Sequence, residues 1–141
     1  MILQKGEDTG LITAFSTTEE FDHLALYRAF LERETDCTGT VVLHHGRVKR
    51  PGKKVPAFST VELKPLVKDV DRCLAGIGRQ AQERFDLNQV LIVHRLGTIG
   101  ACDSVLLAIV SGTTRDRCFE ACSWIVDEIK REEFIELIEV A

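Results

Sequence analysis

From residue 10 onward, short apolar runs alternate with stretches in which apolar residues recur every three or four positions. "GLITAFS" (10–16) reads as a strand. "STTEEFDHLALYRAFLERE" follows, with Ser16 and Glu19, or Thr17 and Glu20, in the form of a capping box. Phe21, Leu24, Tyr27 and Leu31 then recur at helical spacing and predict a first helix. "TGTVVLHH" (38–45) and "AFSTVEL" (57–63) predict strands. Gly46, Pro51, Gly52 and Pro56 between them exclude a continuous helix or a central strand, so residues 46–56 are expected to form a basic flexible loop. Pro65 sits well at a helix start, and Leu66, Val70, Leu74, Ile77, Ala81 and Phe85 supply the inner face of a second helix that Gly76 and Gly78 weaken.

"QVLIVHR" (89–95) and "SVLLAIVS" (104–111) predict an antiparallel pair joined through Gly97, Gly100 and Asp103. "TTRDRCFEACSWIVDEIKRE" predicts a third helix, capped by Thr113 or Thr114, with Phe119, Cys122, Val126 and Ile129 facing inward. "FIELIEVA" reads as a closing strand. No repeat of 20 to 50 residues is present. Strands and helices mix without regular βαβ alternation, which predicts an α+β fold, and 141 residues suit one domain over 1–141.

Charge changes this picture locally. The chain carries a formal net charge of −4, yet Arg47, Lys49, Arg50, Lys53 and Lys54 fall within eight consecutive positions. Without them 13 basic residues face 22 acidic ones, a balance of −9. Such a body lacks the broad positive surface that nucleic acids or anionic membranes require. Five cysteines, with no C-x-x-C pair and no zinc-ligand spacing, read as reduced thiols. The N-terminus lacks the apolar run of a signal peptide, and no run approaches 18 apolar residues. A cytoplasmic protein with no membrane and no nucleic-acid partner is expected.

Five residues separate Gly46 from Gly52, and Lys54 stands where a P-loop needs Ser or Thr, which excludes a nucleoside-triphosphate site of that kind. The segment has no aromatic residue for stacking bases. It remains either a cationic flap for a compact anion such as a phosphate ester, or a solvated loop. His44 and His45 are strand neighbours and point to opposite faces, and with His94 they lack further ligands at a recognised spacing, so neither a metal nor a cofactor is expected. Cys118 and Cys122, one helical turn apart, read as buried inert thiols. On the third helix, at 100° per residue, Lys130 lies about 20° and Arg115 about 40° from Phe119, on opposite sides. Lys130 either snorkels or presents a partly desolvated amine usable as nucleophile or acid/base. Arg115 lies roughly 22 Å away along the helix and could meet Lys130 only from a second subunit. His94 and Arg95 end a strand, where they could anchor an anion or bond to turn carbonyls.

Several of these segments resemble the large, catalytic subunit of molybdopterin synthase. "GTVVLHHGRVK" is similar to its "GAVVxFxGxVR", and "VELKP" to its "LEHYP". "VLIVHRLGTIGACDSVLLAIVSGTTRDRCFEACSWIVDEIK" resembles "VxVIHRxGxLxxGExxVxVxVxxxHRxxAFEAxxxxxDxLK", so the likeness runs over about residues 38–130. It implies an α/β-hammerhead-type fold with a mixed, largely antiparallel sheet and three helices. It also implies a homodimer that binds two copies of a small ubiquitin-like sulfur-carrier subunit as a heterotetramer. The implied enzyme is a sulfurtransferase of molybdenum cofactor biosynthesis: sulfur passes from a glycine thiocarboxylate to cyclic pyranopterin monophosphate, giving molybdopterin. Carried over by position, the lysine of the helix end falls on Lys130, and the arginine after the family's histidine falls on Arg115. Lys49 stands where the family has an arginine, and Arg47 holds the preceding basic position. Arg47, Lys49, Arg50, Arg115, His94 and Arg95 are thus the expected substrate contacts and Lys130 the expected catalytic amine. Thr114 stands at the family's histidine, Lys64 at its tyrosine, and Leu137 or Glu136 at its second lysine. The alternative is a catalytically silent homologue that binds a ubiquitin-like tail or a phosphorylated small molecule.

Overall fold

The computed structural model describes residues 7–9 and 11–141. Its larger sheet has the order β1 (Glu7–Thr9), β2 (Ile12–Thr17), β5 (Leu87–Arg95), β7 (Ser104–Gly112), β3 (Thr40–Arg47). β2 runs parallel to β5, and the other pairs are antiparallel. A second, antiparallel sheet has the order β6 (Gly97–Gly100), β4 (Thr60–Pro65), β8 (Ile135–Val140). With α1 (His23–Glu32), α2 (Val70–Phe85) and α3 (Arg115–Lys130) this is the α+β architecture expected. No helix among the described residues is long and apolar enough to cross a membrane.

Successive residues of β5 face opposite sides. Val90 and Ile92 join the cluster beneath α2 and α3, with Leu74, Ala81, Ile125 and Ile129. Leu91 and Val93 join the cluster beneath α1, with Phe15, Leu26, Phe30 and Leu107. A strand buried on both faces needs an unbroken apolar run, which is what the β5 sequence shows. The expected β5–β7 antiparallel pairing forms, and its linker contributes one strand more: β6 crosses to the smaller sheet from Gly97, whose φ of +92° favours glycine.

Helix starts depart from the expectation. α1 begins at His23 under an Asp22 cap, whose Oδ1 accepts from the amides of Leu24 and Ala25 at 3.1 Å. Neither box pairing forms: Ser16 gives its amide and hydroxyl to Asp71 at 2.7 and 2.6 Å, and Thr17 accepts from the Glu19 amide. Because Phe21 precedes the helix it does not fix the inward face; Leu26, Ala29 and Phe30 are buried and Leu24 is 66% exposed. In α2, Pro65 instead closes β4, Leu66 is exposed, and Asp69 caps the helix through the Arg72 amide. Val70, Leu74, Ile77, Ala81 and Phe85 are buried as expected. In α3 the inner stripe includes Cys118, Ala121 and Ile125, while Phe119 is 58% exposed. Thr114 is the cap residue, without a side-chain hydrogen bond.

Candidate active site

A cleft of about 470 Å³ opens between the end of β3, the segment after it, the C-terminus of α3 and β8. Phe58, Val61, Leu63, Leu106, Ile129 and Ile135 give it an apolar floor. Arg47, Lys49, Lys53 and Lys130 line it together with His44 and His94. Strand alternation puts His44 on the same side as Val42, which packs against the cluster under α3. A bulge follows: Gly46 pairs with Leu106 but Arg47 with Ser104, leaving Val105 unmatched, and past this irregularity Arg47 lines the cleft.

The basic segment is a strap fastened at several points. The Val48 amide donates to the Asp103 carbonyl and the Cys102 amide to the Val48 carbonyl, at 2.9 and 2.8 Å. Arg50 donates through Nε to the Phe58 carbonyl at 2.9 Å, with its guanidinium 5.1 Å from the Phe58 ring centre. The amides of Lys53, Lys54 and Val55 all donate to the Glu139 carboxylate, at 2.8, 2.8 and 2.7 Å. The Val55 and Lys54 amides hold that carboxyl below the usual carboxylate range.

Two imidazoles at the cleft are kept neutral. His94 is 5% exposed, and burial lowers its pKa against a smaller opposing effect of its hydrogen bond to the Arg95 carbonyl. That bond, at 2.7 Å from Nδ1, assigns the proton to Nδ1, because a carbonyl can only accept. Nε2, with no partner among the described residues, is then a proton acceptor on a cleft-lining ring. His44 is lowered by burial first and by the positive charge of Lys130 second, and both residues line the cleft. His45 faces the other way, with its ring centre 4.3 Å from that of His23 and Nε2 2.7 Å from the Ser104 hydroxyl.

The structure thus brings Arg47, Lys49, His94 and Lys130 together and leaves out three expected residues. Arg50 is consumed as a fastener. Arg115 is exposed at the far end of α3 beside Thr113 and Thr114, a helix length from Lys130. Arg95 is 8% exposed and two residues on from Val93, so by strand alternation it lies on the α1 side; its Nε has no hydrogen-bond partner among the described residues. Lys130 itself is exposed rather than desolvated, because it is the last residue of α3 and only Ile129 before it enters the core.

Sequence reasoning missed His44, Lys53, Glu132 and Glu139 as cleft residues. Alternation with Val42 was a usable signal for His44. Glu139 meets the strap across 84 to 86 residues, and no local pattern announces that. Both acidic residues are turned to backbone amides, Glu132 to that of Leu137 and Glu139 to the strap. Among the described residues no carboxylate lies within ion-pair distance of Arg47, Lys49, Lys53 or Lys130. The cleft is therefore an apolar-floored, positively charged recess rimmed by four cations that lack a carboxylate partner among the described residues.

The cysteines of α3 contribute no nucleophile here. Burial, and less strongly Glu34, raises the Cys118 pKa; burial and then Cys118 push the Cys122 thiol up to about 11.

Comparison with known proteins bears on the chain as a whole. A family profile described as MoaE protein matches residues 16–132. Over 97 residues the chain is 34% identical to the molybdopterin synthase catalytic subunit of Pyrococcus abyssi, covering 67% of this chain and 63% of that one. It is 33% identical over 118 residues to the molybdopterin synthase catalytic subunit of Escherichia coli, covering 82% and 71%. The match therefore spans slightly less than two thirds of the archaeal relative. The crystal structure of molybdopterin synthase from Staphylococcus aureus superposes with a TM-score of 0.77 at 25% identity, covering 90% of each chain. A complex of subunits 1 and 2 of molybdopterin-converting factor from Helicobacter pylori shares the fold at a TM-score of 0.60 and 13% identity, covering 86% and 76%. On the family match over residues 16–132 and these identities, the chain belongs to the MoaE family.

Proposed function

We propose that this chain is the large subunit of a cytoplasmic molybdopterin synthase, moving sulfur from the thiocarboxylated tail of a small ubiquitin-like subunit to cyclic pyranopterin monophosphate. The observation that carries the reading is the set of four cations with no carboxylate partner around an apolar-floored cleft. A phosphate ester on a flat ring suits it: the phosphate accepts from Arg47, Lys49 and Lys53, and the ring covers Phe58 and Leu106. Lys130 is the amine that meets the incoming acyl-sulfur terminus, with His44 lining the same cleft and the bare Nε2 of His94 able to take a proton. The relatives' name and the two-subunit complex of the H. pylori protein support a small-subunit partner. Arg115, outside the cleft of its own chain, would serve the site of a second copy in a homodimer.

One observation favours the silent-homologue reading. At the positions of the family's second lysine, Leu137 lines the cleft and Glu136 pairs in register with Lys64, so neither supplies an amine. Reconstitution separates the two. Purified protein, a thiocarboxylated small subunit and the cyclic precursor are mixed and dithiolene formation is followed. Product that disappears in Lys130→Ala supports the enzyme; partner binding without product overturns it in favour of the silent homologue.

A further inference from the structure

The strap carries two of the four cleft cations, and what holds it there is a carboxylate on another element. β8 is an edge strand of the smaller sheet, paired on one side with β4. Its Glu139 reaches from the open edge to take three consecutive strap amides. Two oxygens accepting three N–H groups make a strong, directional anchor, because charge-assisted hydrogen bonds are about twice as strong as neutral ones. The fit is close as well. A Cβ on Gly52 would stand 2.4 Å from the Val55 carbonyl oxygen and 2.6 Å from the Glu139 carboxylate, so only glycine lets the strap turn over that carboxylate. Further back, Arg50 is bound to the Phe58 and Ser59 carbonyls, so Lys53, a cleft-lining residue, stands between two fastenings.

We infer that Glu139 is a positioning residue: by collecting the amides of Lys53, Lys54 and Val55 it holds the strap so that Lys49 and Lys53 face an anion in the cleft. The Glu139 carboxylate does not touch that anion; spent on backbone N–H groups, it fixes the strap without neutralising the lysines. Lys53 thereby becomes an anion contact that a tethered strap presents at low entropic cost, since its backbone is ordered before the ligand arrives. This rests on the cleft being an anion site, and the test separates the two.

Inorganic phosphate is the probe, titrated at low ionic strength into wild type, Glu139→Gln and Gly52→Ala, each also followed by trypsin cleavage at Lys53 and Lys54. Glutamine replaces one accepting oxygen with a donor that confronts an amide, and the alanine variant displaces the strap with no change of charge. Both are expected to raise the cleavage rate by roughly tenfold or more through local opening, and to weaken phosphate binding by about threefold to tenfold. In a Lys49→Gln/Lys53→Gln background, Glu139→Gln should change phosphate affinity by less than about twofold, because its effect runs through those side chains. Phosphate affinity equal in wild type and both strap variants overturns the positioning role while leaving the anion site intact. Wild-type protein that ignores phosphate overturns the anion site and the role together. Unchanged cleavage in both variants shows that the carboxylate does not hold the strap, and the role fails on that ground alone.

Discussion

Replacing Lys130 with glutamine tests the proposed chemistry at its most exposed point. The residue ends α3, its predecessor Ile129 is 4% exposed, and the following Arg131 pairs with Glu128 and Glu133 at 3.3 and 3.0 Å. The helix end therefore stays anchored without the amine. What folding loses is a cation at a helix C-terminus, about 0.3–1 kcal/mol. With an unfolding entropy near 2.1 cal/mol/K per residue, that is a fall of about 1–3 °C in Tm for a chain of this length. Function should lose more. A charge-assisted contact is worth about 1.5–3 kcal/mol, or roughly 10- to 150-fold in phosphate affinity, and the exposure of Lys130 places it at the lower end. Proton transfer or nucleophilic work would add about 10²–10⁴ in turnover.

Arginine at the same position divides these contributions. Lys130→Arg keeps the charge and gives up an amine that can lose its proton, because guanidinium stays protonated. The expected pattern is near-normal phosphate affinity with turnover as low as in Lys130→Gln, read by calorimetry and by single-turnover dithiolene formation with a preloaded thiocarboxylated partner. Restored turnover in Lys130→Arg reduces the residue to an anion contact. A Lys130→Gln protein within twofold of wild type in both assays removes it from the site. His44 reports independently of activity: its pKa should rise in Lys130→Gln, since the Lys130 charge is one of the two causes that lower it, and NMR titration of its ring protons reads this directly.

Three further outcomes follow from the packing. Gly76→Ala should stabilise α2 by about 0.5–1 kcal/mol, because nothing lies within 4 Å of the added methyl, whereas Gly78→Val should cost about 1–3 kcal/mol against the Ile12 methyl at 2.9 Å; urea unfolding compares them. A thiol reagent at pH 8 should modify Cys37 and Cys102 quickly and reach Cys118 and Cys122 only on unfolding, since a pKa of about 11 leaves Cys122 about one part in a thousand thiolate. The lowered pKa of buried His94 means that the unfolded chain takes up a proton first as pH falls. Its contribution to stability should be complete above about pH 6.5 and decline below it, down to the folded-state pKa; His94→Gln should flatten that part of the stability curve.

Elements with a strong period were legible in the sequence, and their partners were not. The run Gln89–Arg95 reads as a strand because both faces are buried, and Val70 to Phe85 reads as a helix because five inward positions obey one spacing. The first helix misled because Phe21 has the right spacing but lies outside the helix, so counting from it turned the inner face away from Leu26 and Phe30. Phe119 misled for another reason: small residues, Cys118 and Ala121, fill the close contact of α3 with the sheet, and the larger ring is left outside. Of the expected contacts, Arg47, Lys49 and Lys130 were carried over from the family resemblance and His94 was read from its place near a strand end, and all four line the cleft. Arg50, expected as an anion contact, instead donates to the Phe58 and Ser59 carbonyls, and in a sequence a guanidinium that ties down a loop looks like one that binds an anion.

The basic run in an acidic chain also has an explanation only in three dimensions. Its five charges do different work: Arg50 fastens the strap, Lys54 is exposed and lends its amide to Glu139, and Arg47, Lys49 and Lys53 line the cleft. A cluster of like charges repels itself and destabilises the compact state unless something else holds it. Here the restraint comes from backbone amides and carbonyls on Glu139, Asp103 and Phe58, and not from salt bridges to the lysines. The arrangement leaves the repulsion among Arg47, Lys49, Lys53 and Lys130 unrelieved in the free protein, and that electrostatic cost is what an entering phosphate removes. Affinity for the anion should therefore fall steeply as salt is added, while the strap, held by short hydrogen bonds, should stay closed over the same range. If the strap loosened with salt in step with the affinity, the lysines themselves would be what holds it, and the separation of fastening from binding would be wrong.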